Sequence, residues 1–388
     1  MSSRNPRIVI VGAGVGGLTL ALLLRRRGIV AEVVEQSAEL REVGAAVALA
    51  ANGTRVLQHL GLGEALAQMS TEPSGLIHRD GRDGHRIAAT RDGRWYRETF
   101  GAPFFGLHRM DLQRLLVDAL GQENLHLGCR AETLEKRDTG MWVRCSSGAA
   151  FDADVVVGAD GVHSQVRQWV TGGDEPVYSG TSGFRGLVPV ELLPQLPDPG
   201  ALQFWMGPGA HLLHYAISGG RVINFLAVVE GPDRWTEPGW MEPAEPGAHL
   251  EAFAGWHPAV TEMIGAVPQS PRWGLFARRS PARWSRGPVV LLGDAAHAML
   301  PHHGQGANQT IEDAVVLAAE LDSSGDLLAA LRRYQDRRRV RTRQVQLMSW
   351  EASAALHLPD GPAAQRRDAG LAQLPEVVAW IHGHDAFA

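Results

Sequence analysis

The sequence predicts an α/β protein: a Rossmann-like domain with a parallel sheet, interleaved with a sheet-rich substrate domain and followed by a C-terminal helical segment. Three observations carry this reading. Gly12, Gly14 and Gly17 lie between a strand pattern and a helix pattern, and two more buried-strand patterns far along the chain each run into an adjoining Gly and Asp. The intervening stretches alternate at strand spacing.

The chain has 388 residues, too many for one ordinary compact core, so two domains are expected. The predicted dinucleotide-binding domain takes residues 1–75, 104–177 and 274–330. Two insertions, 76–103 and 178–273, build the substrate domain, and 331–388 form the helical C-terminal region. Arg and Lys number 37 against 42 Asp and Glu, a net charge of -5, which gives no electrostatic reason to expect nucleic acid or an anionic membrane as partner. A small-molecule ligand fits better, for a monomer or homodimer. The two cysteines, Cys129 and Cys145, lack the spacing of a metal site or a disulfide framework, so a reducing cytoplasm is expected. Ile8 to Leu24 is uncharged and almost wholly apolar, yet Gly12, Gly14, Gly16 and Gly17 would weaken a membrane helix there. A strand, a tight turn and a helix use all four.

In order along the chain, Arg7 to Val11 reads as a strand, Leu18 to Arg27 as a helix ending before Gly28, and Ile29 to Val34 as a second strand, which makes a βαβ unit. Asp80-Gly81, Asp83-Gly84 and Asp92-Gly93 are hairpin signals that open an antiparallel excursion. Met110 to Leu120 has helical spacing, and Thr133 to Asp154 alternates strands with turns. Asp154 to Ala159 returns to a buried parallel strand. Tyr178 to Trp273 carries five of the eleven tryptophans, with alternating segments. Pro288 to Leu292 is another buried strand and Gln309 to Leu321 a helix. The Arg-dense stretch from Arg332 to Arg343 is expected to be a solvated helical face paired with nearby acids.

Three motifs then suggest chemistry. In VGAGVGG the glycines allow a tight turn and a close approach of backbone to a pyrophosphate, which would face the positive end of the adjoining helix. Glu35, at the end of the second strand, suits the hydroxyls of an adenosine ribose. In VVVGADGVHSQVR, Asp160-Gly161 leaves a buried strand, with Ser164 and Arg167 on the same side of the next turn or helix. In LLGDAAHAMLPHHGQGAN, Asp294 leaves the carboxyl end of its strand, where a polyol chain could be held, and Gly304 and Gly306 lead into a helix whose N-terminus would favour an anionic ring.

Together GAGVGG with Glu35, GADGVHSQVR and GDAAHAMLPHHGQGANQTIEDA resemble the three fingerprints of the single-component FAD-dependent aromatic hydroxylases, the family of p-hydroxybenzoate hydroxylase. The closest likeness is to salicylate hydroxylase-type monooxygenases, and it extends through HRMDLQRLL, SGFRGLVP and HLPDGPAAQRRD. The resemblance implies a tightly bound, non-covalent FAD held by Gly12, Gly14, Val15, Gly16, Gly17, Glu35, Gln36, Arg41, Arg109, Gln113, Ala131, Asp160, Asp294, Gly304, Gly306, Ala307 and Asn308. It also implies NADH or NADPH as a transient co-substrate and a flavin hydroperoxide that hydroxylates a phenolic or hydroxypyridine-type ring, a salicylate-like one first. Asp160 would lie between the flavin and nicotinamide sites. The chain departs from salicylate hydroxylase wording after His302, on the substrate side of the ring.

For the catalytic pocket the candidates are His211 and Tyr215, four apart and so on one face of an extended strand, and His302 from the flavin side. His214 takes the other face. His211 and Tyr215 could equally satisfy buried hydrogen bonds. His297 reads as structural, and His297, His302 and His303 do not suit a metal, so none is expected. Arg185 could meet a substrate carboxylate, with a role at the domain junction favoured. Competing readings are an oxidase or epoxidase of the same fold, a non-catalytic flavin-binding sensor and a plain NAD dehydrogenase.

Overall fold

The computed structural model describes residues 5–39, 46–90, 93–237, 239–245, 247–267, 269–323 and 325–388. Arg41 and Asp92 lie outside them. The first sheet has six strands in the order Ser285–Arg286, Val289–Leu291, Val155–Gly158, Ile8–Val11, Ala31–Val34, Leu125–His126, all parallel except the edge strand Ser285–Arg286, which runs antiparallel to its neighbour. Ile8 pairs in parallel with Val155 on one side and with Ala31 on the other. Its central strands are almost wholly β-branched and buried, because helix Val15–Arg25 packs on one face and an antiparallel sheet from residues 131–153, with helix Gln165–Thr171, on the other. Helix Val15–Arg25 comes after the first strand, and the chain turns at Gly28 with φ +75°.

The second sheet has eight strands, in the order Met241–Glu242, Arg272–Ala277, Val177–Pro189, Val222–Glu230, Ala210–Ile217, Leu202–Gly207, Leu76–Asp80, Arg86–Ala89. It is antiparallel except where Leu202–Gly207 runs alongside Leu76–Asp80. One face packs on Trp205, Phe225, Phe253 and helix Pro258–Gly265; the other looks toward the parallel-sheet domain. Ala131–Arg137, Gly140–Cys145 and Ala150–Ala153 form a separate three-stranded antiparallel sheet.

Two expectations need correction. The excursion after Leu76 is a hairpin only as far as Ala89; Gly93–Phe100 is a helix, since Tyr96 and Phe100, four apart, bury against Ala51 and Ala102. The Arg-dense stretch lies in helix Leu327–Leu356, and it is not a purely solvated face. Arg338 is 1% exposed and bonds both Glu312 and Asp313. Helices Pro362–Gly370 and Leu374–His382 finish the chain. Among the described residues no helix is long and apolar enough to cross a membrane.

Candidate active site

The glycine loop is shaped by close packing. A Cβ on Gly12, whose φ is +110°, would lie 2.4 Å from the Ala159 carbonyl oxygen, and one on Gly17 would lie 2.0 Å from that of Gly12. Gly14 has open space where its Cβ would be, on the cleft side. No side chain caps helix Val15–Arg25, so its first-turn N–H groups are left for a ligand. The Glu35 carboxylate accepts from the backbone N–H groups of Ala13, at 2.8 Å, and Ser37, at 2.9 Å, and is thereby held at the rim of the cleft. Gln113 donates to the Ala13 carbonyl at 2.9 Å.

Asp160 lies across from Gly12 and accepts from the Ser164 hydroxyl at 2.5 Å and the Val166 N–H at 3.1 Å. Burial raises its pKa against those hydrogen bonds. Ser164 caps helix Gln165–Thr171, and Arg167 turns inward to pair with Asp174. Asp294 opens a short helix after Gly293, whose φ is +64°.

Beneath this loop lies a buried ionic cluster. Asp313 accepts from the Gly293 N–H at 3.0 Å, from His297 Nε2 at 2.6 Å and from Arg338 Nε at 2.7 Å, while Glu312 bonds Arg338, Arg341 and Asn52. Burial alone would raise the Glu312 pKa; the Arg338 and Arg341 guanidinium groups overcome it and hold the carboxyl at about 2. His297 is therefore structural, as its place after the turn suggests.

These elements enclose a cleft of about 820 Å³, near the upper end of the range for ligand sites. It is lined by Gly12, Gly14, Val15, Gly16, Glu35, Gln36, Arg109, Gln113, Ala131, Asp160, Asp294, Gly304, Gly306 and Ala307. Two expected cofactor residues do not line it. Gly17 serves the packing of helix on strand. Asn308 is fully buried behind the loop, accepting from the Ala50 N–H and donating to the Ala48 and Gly304 carbonyls. Gly304 has φ +61°, which favours glycine, but Gly306 begins the helix Gly306–Ser323 with ordinary backbone, so it contributes smallness rather than freedom. Arg130, Arg185 and Thr310 also line the cleft; Thr310 belongs to the GQGANQTIEDA stretch and Arg185 to SGFRGLVP, whereas Arg130 belongs to no motif that would have revealed it.

A second chamber, about 380 Å³, adjoins the first and shares Ala48, Leu213, Tyr215 and Gly304 with it. The eight-stranded sheet supplies its floor. Strand pairing aligns His78, Phe204, Leu213, Leu226 and Arg185 in one row across five strands, with Tyr215 opposite Asn224 two residues along. Trp95 and Phe100 from helix Gly93–Phe100 and Met348 from helix Leu327–Leu356 close the sides, and Leu371 and Val378 from the C-terminal region close the far wall. His302 lines the chamber, and neither of its ring nitrogens has a hydrogen-bond partner among the described residues. Burial holds it at about 3, so it is a neutral imidazole at physiological pH. Burial also raises the Tyr215 phenol, which therefore stays protonated, a donor to any oxyanion.

His211 sits differently from expectation. It shares a sheet face with Tyr215 but lies behind His302, ring centroids 5.1 Å apart, and its Nδ1 is 2.7 Å from Nε2 of His357. His357 opens the HLPDGPAAQRRD stretch that carries part of the resemblance, but that stretch gave it no role as a site residue. His214 lies on the opposite face beside Trp205. The one group of described residues that brings three candidate metal-ligand atoms within 4.8 Å of one another is Asp80, Asp83 and His85, in a hairpin turn outside both cavities.

A glycine-lined cleft with an uncapped helix end, a carboxylate at each extremity and an apolar chamber beside its middle fits an extended dinucleotide whose reactive ring abuts a small-molecule pocket. Fold and cleft define a flavoprotein of the aromatic hydroxylase class. The model of the family described as FAD binding domain matches residues 6–348. The chain is 40% identical over 389 residues to the 3-amino-4-hydroxybenzoate 2-monooxygenase PtmB3 of Streptomyces platensis, covering 100% of this chain and 98% of that one. Klebsiella pneumoniae HpxO complexed with FAD and uric acid is similar in structure, with a TM-score of 0.84 and 29% identity over 96% of this chain and 95% of that chain. A salicylate hydroxylase substrate complex gives a TM-score of 0.85 and 27% identity over 98% and 96%. The chain belongs to the FAD-binding-domain family, and it is an FAD-dependent monooxygenase, an aromatic hydroxylase that uses NAD(P)H.

Proposed function

We propose that this enzyme hydroxylates a hydroxybenzoate, with 3-amino-4-hydroxybenzoate the first candidate ahead of salicylate, and that Arg185 anchors the carboxylate. The observation that carries the reading is Arg185 itself. Its guanidinium lines the cleft beside the chamber, stacks on Trp273 at 5.1 Å, and among the described residues forms no ion pair with an acid. Arg185 is half-buried, and a partly desolvated cation without a counter-ion is costly, so an anionic substrate supplies what the fold leaves out. The 40% identity over the whole chain to an aminohydroxybenzoate monooxygenase supports the same substrate class.

In this reading the residues implied for FAD act as its holders where they line the cleft, and Asp294 accepts from the ribityl hydroxyls. FAD, when bound, supplies hydride acceptance and oxygen activation. The protein does the rest. Phe204, Leu213 and Leu226 exclude water from the ring, Tyr215 donates to the substrate oxygen as it gains negative charge, and His302 accepts the hydroxyl proton, which favours the more reactive phenolate. A cytoplasmic location belongs to the same proposal, consistent with two buried, unbridged cysteines.

The test is NAD(P)H consumption by the FAD-loaded enzyme with 3-amino-4-hydroxybenzoate, 3- and 4-hydroxybenzoate and salicylate, together with product identification. Stimulation by at least one of them, with a hydroxylated product, is expected. Arg185→Gln should raise KM for that substrate roughly a hundred-fold, as loss of a charge-assisted bidentate contact would, with FAD affinity unchanged. An unaltered KM would remove Arg185 from the site.

A further inference from the structure

We infer that His357 is a positioning residue for the hydroxylation: with His211 it forms a two-imidazole proton acceptor beneath His302 that takes up the proton released when the substrate hydroxyl ionises. The inference rests on the substrate reading above. His357 lies outside the three glycine and Gly-Asp fingerprints, and its role is read from the geometry.

His211 and His357 are 146 residues apart in the chain, yet their Nδ1 and Nε2 atoms lie 2.7 Å from each other, in a region where both rings are buried. Two neutral imidazoles at that distance must adopt complementary tautomers, one nitrogen carrying a hydrogen and the other a lone pair. With the hydrogen on Nδ1 of His211, its Nε2 keeps a lone pair and His357 carries its own hydrogen on Nδ1. The other nearby ring is His302, edge-on to His211, and no carboxylate is hydrogen-bonded to any of the three among the described residues. Glu351, the one acid among the described residues that lines the chamber, is exposed at its edge, so the buried acceptors for a proton leaving the substrate are these imidazoles.

One buried ring is a poor holder: burial keeps His302 at about 3 and His357 at about 4, and burial, with His302 and His357 beside it, pushes His211 well below an ordinary imidazole too. A pair is better, since a charge-assisted N–H···N bond spreads the charge over two rings. His357 adds a second advantage. It caps the C-terminus of helix Leu327–Leu356, 30 residues long, where the last carbonyls favour a cation, and its own carbonyl accepts from the Gly209 N–H at 3.0 Å, which fixes it against the sheet.

The step balances simply. The substrate O–H bond breaks, its proton is taken by His302, a turn of that ring, which has no partner among the described residues, hands a proton on to Nε2 of His211, and the Nδ1 hydrogen of His211 is shared with Nε2 of His357. The substrate is left as phenolate, the pair carries one positive charge, and no electrons change hands. The proton returns when the product hydroxyl is reprotonated.

The experiment uses FAD-loaded enzyme labelled with 15N-histidine, and 4-hydroxy-3-nitrobenzoate as a chromophoric probe. Without any probe, wild type should give a downfield, exchange-protected imidazole N–H signal that disappears in both His211→Gln and His357→Gln. Absence of that signal in wild type overturns the inference whatever the substrate is. With the probe, His357→Gln should raise the apparent pKa of the bound phenol by about one unit, a ten-fold loss of phenolate, while affinity for benzoate, which has no hydroxyl, stays within about three-fold. Imidazole added to His357→Gly should restore phenolate. An unchanged probe pKa in His357→Gln also overturns the inference. If neither benzoate nor the probe perturbs the wild-type flavin spectrum, the substrate reading fails, and the histidine signal still decides whether the pair exists.

Discussion

The two cavities meet at Leu213, Tyr215 and Gly304 but are built on opposite principles. The larger cleft is made of backbone, small residues and carboxylates contributed by a few contiguous motifs, each at the end of a parallel strand. The smaller chamber is made of aromatic and aliphatic side chains drawn one or two at a time from the second sheet, the helix Gly93–Phe100, the long helix and the C-terminal region. A site that grips an invariant cofactor can be encoded locally; one that selects a substrate is assembled from the whole chain.

The largest effect that would sharpen this contrast is expected beneath the cleft. Arg338→Met strips Asp313 and Glu312 of their shared cation, and leaving buried carboxylates without it should cost about 3–5 kcal/mol, read as a lower thermal midpoint together with loss of bound flavin. In the chamber, His302→Gln should lower the hydroxylation rate about a hundred-fold, the usual scale for a lost general base, while FAD stays bound. If that variant sheds flavin instead, the two cavities are not separable. Asp294→Ala should do the reverse, weakening FAD about ten- to thirty-fold by losing hydrogen bonds to a charged acceptor, with activity recovered when FAD is added in excess.

The smallest effect concerns neither cavity. Burial, with Arg79 nearby, holds His214 at about 3, against about 6.5 in an unfolded chain. Between those values the unfolded state binds the proton and the folded state does not. Stability is therefore complete above about pH 6.5 and declines below it, by about 1.4 kcal/mol at pH 5.5 for this one group. His214→Phe should flatten the fall in unfolding free energy between pH 7 and pH 5.5 by that amount, without altering FAD or substrate binding. An identical pH slope in the variant would mean that His214 accepts its proton while folded.

The same division explains which residues are legible in the sequence. Gly12, Gly14, Glu35, Asp160 and Asp294 stand in short stretches whose strand and helix context is visible in the residues themselves, and all of them reach the cleft. Gly17 and Asn308 share those stretches yet act one layer back, a distinction of depth that spacing does not encode. His211 and Tyr215 share a face as alternation requires, but alternation says nothing about what lies above them, so the interposition of His302 was invisible. Arg185 looked like a junction residue because its lack of an acidic partner is a property of three dimensions. His357 and Arg338 were missed because their partners come from far away in the chain, and the arginines around Arg338 resemble an ordinary solvated face.

The order of strands has a further consequence. Val155–Gly158 lies between Ile8–Val11 and Val289–Leu291, and Asp313, which secures the turn after the last of these, is itself matched by Arg338. During synthesis the amino-terminal half emerges long before those later pieces exist, so the nascent chain spends most of its time on the ribosome with apolar strand edges uncovered. Flavin capture is accordingly a late event in the biogenesis of this enzyme, and chaperone demand should peak before it.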